Sequence, residues 1–231
     1  MINSNARRRP APAVLTAPRA EWLVRVGVAV WFFFLASFSV NQIMATRAAT
    51  LDLLGWARLI SSISLVSFFL MIAWLTLVRP RPVAQAPGGF ARIAAVLGTW
   101  LFMLATPFLT RRADLGAGML LLSASLILVG DILAVLILRK LGRSFSIMAE
   151  ARKLVTHGPY SVVRHPLYAA EQLAILGALI QFASVEAVIL VAVQFSFQLI
   201  RMRNEEAVLM RSFPEYADYM LRTPRLIPGI W

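Results

Sequence analysis

A chain of 231 residues that is 59% hydrophobic, with a mean hydropathy of +0.73, carries more apolar side chain than a water-soluble domain of this size can bury. The absence of cysteine excludes a disulfide framework, a thiolate metal site and a catalytic thiol, and two histidines are too few for a multi-histidine haem or zinc centre. The formal charge of +12 is gathered at the ends of apolar segments rather than along one polar face, which fits membrane orientation and anionic headgroups and speaks against nucleic acid as a partner.

Residues 1–20, with Arg7, Arg8 and Arg9 and prolines at 10, 12 and 18, read as a disordered basic tail. Residues 21–138 read as N-terminal transmembrane helices. The first apolar segment spans 22–43 and is followed by ATRAA, a superficial match to a signal-peptidase site. A signal core is about 7–15 residues long, and this segment is longer and aromatic-rich, so an uncleaved helix is expected. The second segment, 59–78, stops at RPRP, where proline cannot continue a helix. The third, 93–109, is near the short limit for a span, and the fourth, 115–138, closes on Arg139 and Lys140. Residues 139–231 form a separate C-terminal region, which holds the polar motifs described below. Its apolar stretch, 167–200, is too long for one span, and Ser184 and Glu186 divide it into a hairpin of two shorter helices.

The expected fold is therefore an all-α, polytopic integral membrane bundle of five to six transmembrane segments with a C-terminal helical hairpin. Placing the N-terminus inside puts nineteen lysines and arginines on that side and four on the other. This positive-inside bias places both termini, and the polar motifs, in the cytoplasm.

The titratable groups cluster at a few places. HGPYSVVRHPLY, residues 157–168, holds both histidines of the chain. Gly158 and Pro159 set a turn, and Pro166 suits the first position of a helix. Arg164, His165 and the unpaired N–H groups of that helix start form a natural seat for a carboxylate or phosphate. The bland alternative is an arginine–tyrosine anchor at the lipid interface.

Beyond the hairpin, RMRNEE sets Glu205 and Glu206 about 100° apart on a helix, so one can face a pocket while the other pairs with an arginine. A solvated helix end with ordinary ion pairs is the alternative. Tyr216, Tyr219 and Arg222 follow at intervals of three and are expected to line one face, holding an anionic group or resting on anionic lipid. Asp131 stands inside the fourth segment, a functional-site candidate by position or a structural group that is protonated or bonded to Asn41, Gln42, Gln194 or Gln198. Together these groups suit a ligand with carboxylate, ammonium and aromatic parts. S-adenosylmethionine and a pyridine nucleotide both qualify, and no glycine-rich dinucleotide fingerprint is present.

The run LGRSFSI…LVTHGPYSVVRHPLY, followed after the hairpin by RMRNEEAVLMRSFPEYADYMLRTPRLIP, resembles the isoprenylcysteine carboxyl methyltransferases and their bacterial relatives. Phospholipid N-methyltransferases share part of it. The resemblance covers about residues 139–231. It implies S-adenosyl-L-methionine in a cytoplasmic-side pocket, with His157, Gly158, Tyr160, Arg164, His165, Tyr168, Glu205 and Glu206 binding the cofactor or shaping its pocket. It implies Arg222 near the reacting carboxylate as the catalytic residue and Tyr219 beside it on the substrate side, with no metal. The expected activity is carboxyl O-methylation of a lipophilic, isoprenylcysteine-like or lipid-linked substrate by direct displacement, in a bacterial inner membrane among its lipids. The alternatives are phospholipid or amine N-methylation, and, from RHPxY alone, an NADPH-dependent sterol-type reductase.

Overall fold

Inside a bilayer an apolar chain must satisfy its own backbone hydrogen bonds, and helices do so within one segment. The computed structural model describes residues 18–45, 53–80, 82, 84–86, 88–110, 112 and 114–229. Among the described residues run seven α-helices: α1 (Pro18–Ala45), α2 (Leu53–Val78), α3 (Gly89–Ala105), α4 (Ala117–Leu141), α5 (Pro166–Phe182), α6 (Val185–Ser212) and the short α7 (Tyr216–Arg222). The chain is an all-α membrane helical bundle, as expected. Trp22–Asn41, Ala117–Ser144 and Val185–Ser212 are long and apolar enough to cross a membrane, and Ser62–Val78, Gly89–Ala105 and Pro166–Phe182 are shorter apolar helices.

Several boundaries differ from the expectation for local reasons. Helix α1 takes in residues 18–20, which the sequence reading gave to the tail, because Pro18 suits a first turn. Residues 1–17 and 46–49 lie outside the described residues. Helix α3 ends at Ala105, since Pro107 lacks the N–H to extend it and the chain tightens into a 3₁₀ turn, Thr106–Phe108. The hairpin turns where Ser184 predicted it. Ala183 is left-handed (φ 38°, ψ 43°), and the Ser184 hydroxyl accepts a hydrogen bond from the Ala187 N–H at 3.2 Å, capping α6. The second helix of the hairpin is not short, however. It runs to Ser212, so Arg201, Glu205 and Glu206 are helical residues.

Helix α4 packs along α5 and α2, α2 along α1, and α3 along α6. The α4–α5 seam is built from small residues. A Cβ on Gly130 would lie 2.7 Å from the Ala170 carbonyl oxygen, and one on Gly177 would lie 2.8 Å from that of Ser123. Such close backbone approach is how helices pack where lipid removes the hydrophobic drive between them. The Ser123 hydroxyl donates to the Gly177 carbonyl across the same seam at 2.7 Å. A second cluster joins Phe32, Phe69 and Trp100 from α1, α2 and α3, with ring centroids 5.8 and 5.9 Å from Phe32.

Loop contacts show which helix ends share a side. Arg25, near the start of α1, donates to the Arg79 carbonyl just beyond α2 at 2.5 Å, and Arg143, just beyond α4, reaches the Val78 carbonyl at 2.9 Å. At the opposite end the Arg112 N–H donates to the Gln181 carbonyl of α5 at 2.9 Å. On the first side two strands of two residues each, β1 (Ala84–Gln85) and β2 (Glu150–Ala151), pair antiparallel with Ala84 opposite Ala151. They tie the loop after α2 to the loop after α4, and this second loop forms one wall of the site.

Candidate functional site

The HGPYSVVRHPLY segment enters the bundle as a 3₁₀ turn, Gly158–Ser161, and then the start of α5. Gly158 has φ +66°, a conformation that favours glycine, so the turn expected there forms. The anion seat expected at the helix start is narrowed by the C-terminal tail. The N–H groups of Arg164 and His165 donate to the carbonyls of Pro224 and Arg225 at 2.8 and 3.0 Å. His165 is buried, and buried main-chain donors require partners, so the tail takes up these two donors.

Helix α6 meets this segment with Glu205 and Glu206. Glu206 is buried and closes a clamp. Arg225 donates from Nε to its Oε1 and from Nη2 to its Oε2 at 3.0 and 2.6 Å, His165 Nε2 lies 3.1 Å from Oε1, and Arg164 Nη1 lies 3.3 Å from Oε1. A carboxylate bound by two arginines and an imidazole holds the loop, the helix and the tail together. Glu205 turns the other way, toward a cavity, and accepts the Tyr168 hydroxyl at 2.6 Å. The two glutamates thus divide as their helical separation allows, with Arg164 and Arg225 as the paired cations in place of the preceding Arg201 and Arg203.

Tyr168 is central to the wall. Its ring stacks on His165 with centroids 5.2 Å apart, and the Arg201 guanidinium carbon lies 4.6 Å from its ring centroid. Arg201 is fully buried. Its Nη1 donates to Thr99 of α3 at 2.7 Å and its Nη2 to the Ser146 carbonyl at 3.3 Å. Below it a polar ladder continues between the helices. Gln198 donates to Glu171 Oε2 at 3.1 Å, Gln172 reaches both Gln194 and Gln198, and Gln194 donates to the Gly98 carbonyl at 2.5 Å.

The cavity between these elements spans about 670 Å³, the open solvent at its mouth included. Tyr168, Glu205 and Leu209 form one side, Tyr160, Tyr216 and Tyr219 another, and the loop from Ser144 to Val155 a third. Arg152 in that loop pairs with Glu150 at 2.6 Å and donates to the Pro80 carbonyl at 2.9 Å. The Tyr219 hydroxyl donates to the Tyr160 carbonyl at 2.5 Å, fixing α7 over the turn. Burial lifts the Tyr160 and Tyr216 phenols well above their ordinary value and Tyr219 to about 12, with nearby carboxylates adding to the effect. All three are therefore protonated at neutral pH, and each hydroxyl keeps a proton to donate.

Among the residues singled out from the sequence, Tyr160, Arg164, His165, Tyr168, Glu205 and Tyr219 line the cavity. Glu206 stands behind it as the clamp. His157 and Gly158 are exposed in the turn and do not line it. Arg222 is also exposed, with its Nε on the Asp218 carbonyl of its own helix at 3.1 Å. The expectation that Tyr216, Tyr219 and Arg222 share one face is corrected by helix geometry. Each step of three residues falls about 60° short of a full turn, so Arg222 sits about 120° round from Tyr216.

Asp131 is buried in α4, and its Oδ2 has no hydrogen-bond partner among the described residues. Gln194 and Gln198, two of its expected partners, are committed to the ladder. Asn41 is exposed, and the Gln42 side chain lies outside the described residues. Arg152, Arg201 and Glu171 are not among the site residues expected from the sequence. A signal was available: Gln194, Gln198, Arg201 and Glu205 recur every three or four residues, a polar stripe on an otherwise apolar helix.

Comparison with known proteins adds the following. The family model described as phospholipid methyltransferase matches residues 119–216. The chain is 37% identical over 83 residues to the nickel-cobalt-cadmium resistance protein NccN of Alcaligenes xylosoxydans xylosoxydans, and 42% identical over 79 residues to the cobalt-zinc-cadmium resistance protein CzcN of Cupriavidus metallidurans. These matches cover 35% and 33% of this chain and 38% and 36% of those proteins. It is 30% identical over 113 residues to protein-S-isoprenylcysteine O-methyltransferase B of Arabidopsis thaliana, covering 46% of this chain and 57% of that one.

Proposed function

Residues 119–216 carry the sequence pattern of the phospholipid methyltransferase family, and from that premise we propose that this protein is an integral membrane methyltransferase that uses S-adenosyl-L-methionine. The observation that carries this reading is the joining of two distant motifs at one cavity. RHPLY and the paired glutamates meet through Tyr168–Glu205 and His165–Glu206.

The residues present fit the cofactor. Arg164 faces the cavity, and its Nε has no hydrogen-bond partner among the described residues, which suits a ligand carboxylate. Glu205 offers carboxylate oxygens for an ammonium, and the tyrosines and Leu209 supply flat and apolar surface for an adenosine. When bound, the cofactor supplies a methyl on a sulfonium, whose leaving group is a neutral thioether. The protein's part is then to align the nucleophile with that methyl and to exclude water. A carboxylate nucleophile is ionised at neutral pH and needs no general base, which fits a wall whose histidine is committed to Glu206.

The preferred reaction is carboxyl O-methylation of a lipophilic, isoprenylcysteine-like substrate entering from the bilayer, with the cavity opening on the cytoplasmic side. Arg222, one turn beyond Tyr219, is the cation we assign to the substrate carboxylate. A second reading, methylation of an amine, is favoured by one observation: Glu150 and Glu205 both line the cavity while Arg222 faces solvent. A carboxylate could take the proton that an amine must lose.

The test is binding and transfer by the purified protein in lipid vesicles. Micromolar binding of S-adenosylhomocysteine, with labelled methyl passing to a prenylated-thiol acid, supports the first reading. Transfer to an aminophospholipid alone supports the second, and binding of neither cofactor form rejects both.

A further inference from the structure

Helix α2 ends at RPRP, and its last carbonyls lack the partners that a continuing helix would give them. Pro82 has no N–H for the Val78 carbonyl, and Arg143 donates to that oxygen from Nε at 2.9 Å. The next two carbonyls are taken in the same way. Arg25 of α1 donates to the Arg79 carbonyl from Nη1 at 2.5 Å and to the Pro80 carbonyl from Nη2 at 3.2 Å. Arg152, just beyond β2, donates to the Pro80 carbonyl from Nε at 2.9 Å. Guanidiniums from three separate parts of the chain thus converge on three consecutive carbonyls. Arg79 itself stands among them, with Nη1 3.4 Å from the Ser146 hydroxyl.

Capping explains the hydrogen bonds but not the charge. A helix C-terminus carries only about half a negative charge. Within the cluster Glu150 accepts Arg152 at 2.6 Å. Glu21 stands one turn before Arg25 in sequence, and counting it as well still leaves four guanidiniums against two carboxylates. Arg139 and Lys140, both exposed in the last turn of α4, add to the excess. This corner of the bundle therefore keeps at least about one positive charge in surplus.

Depth in the membrane points to the ligand. Arg25 lies near the start of the apolar span Trp22–Asn41, and Arg143 lies at the end of the span Ala117–Ser144. Trp22 and Leu23 near Arg25, and Leu77 beside the capped carbonyls, are exposed apolar side chains. Tryptophan and arginine at the ends of spans mark the headgroup layer, where an anion has acyl chains on one side of it. Arg143 is exposed and makes one hydrogen bond among the described residues, through Nε, so its two Nη groups remain for a phosphate.

We propose that this corner, where α1 begins and α2 and α4 end, is a binding site for the phosphate of an anionic phospholipid, with Arg143 and Arg25 as its contacts. The lipid site is independent of the reaction proposed above, although Arg152 and Ser146 link it to the cavity wall that they also line.

Binding is read by native mass spectrometry of the full-length protein in neutral detergent, where no charged leaflet attracts lipid non-specifically. Dioleoylphosphatidylglycerol and dioleoylphosphatidylcholine compete for the protein. One basic residue acting on an anionic lipid changes a binding constant about fivefold, so two contacts should give wild type a preference for phosphatidylglycerol of at least about tenfold. Arg143→Gln is expected to cut that preference about fivefold. Arg92→Gln removes an exposed cation at the start of α3, outside the cluster, and should stay within about twofold of wild type.

No preference in wild type, an unchanged preference in Arg143→Gln, or an equal fall in Arg92→Gln overturns the site. Displacement of the lipid by millimolar inorganic phosphate assigns the arginines to a soluble anion and overturns the choice of lipid. If Arg143→Gln is not recovered folded, Arg25→Gln is read against Arg92→Gln by the same criteria.

Discussion

The Tyr168 hydroxyl lies 2.6 Å from Glu205 Oε2, so a phenol on α5 holds a carboxylate on α6 that stands thirty-seven residues away in sequence. This bond sets the direction of Glu205 into the cavity, while its neighbour Glu206 turns back into the clamp.

Tyr168→Phe tests that orientation directly. The ring keeps its stack on His165 and its place beside Arg201, so the packing is retained and only the hydrogen bond is lost. A hydrogen bond to a charged group contributes about 1.5–3 kcal/mol, and its loss frees Glu205 to move. S-adenosylhomocysteine affinity is expected to fall about tenfold by calorimetry. Unchanged affinity would show that Glu205 needs no holding.

Glu206→Gln removes the centre of the clamp rather than a cavity wall. It leaves Arg164 and Arg225 close together without their shared anion, and breaking a buried charge cluster costs about 3–5 kcal/mol. Thermal unfolding in detergent should show a large loss of stability, greater than that of Arg225→Met, because Arg225 is the more exposed partner. A melting temperature equal to wild type would assign the clamp no structural weight.

Arg222→Ala separates substrate from cofactor. Among the described residues its guanidinium hydrogen-bonds only to the backbone of its own helix, so folding and S-adenosylhomocysteine affinity should stay within about twofold of wild type. With a carboxylate substrate, kcat/KM is expected to drop at least about tenfold, equivalent to about 1.4 kcal/mol of lost transition-state stabilisation. A matching fall in cofactor affinity would remove the distinction between the two roles.

Gly177→Val probes the α4–α5 seam. Its Cβ would meet the Ser123 carbonyl at 2.8 Å and Ile127 at 2.9 Å, mostly atoms that cannot rotate away. Overpacking of this kind costs about 1–3 kcal/mol. Thermal unfolding is expected to show that loss, while the same change at Gly118, where a Cβ meets nothing within 4 Å, should be tolerated.

Much of the fold is legible in the residues themselves. The apolar segments, the hairpin at Ser184 and the turn at Gly158–Pro159 depend on local chemistry: transfer of side chains to lipid, a capping hydroxyl, and the freedom or rigidity of two backbone angles. The pairing of RHPLY with the glutamates could be anticipated only through resemblance, since no local rule links Tyr168 to Glu205.

The sequence alone determined that this protein is a helical membrane bundle with its titratable groups gathered near the ends of helices, because burial in lipid selects composition and length one segment at a time. Only the tertiary structure decided which groups meet. It turned Glu205 to the cavity and Glu206 to the clamp, gave two main-chain donors of the expected anion seat to the tail, left His157 and Arg222 exposed, and buried Arg201 against the Tyr168 ring. Those outcomes depend on how helices rotate and cross, and that is set by close contacts such as Gly130 against Ala170 rather than by any segment alone.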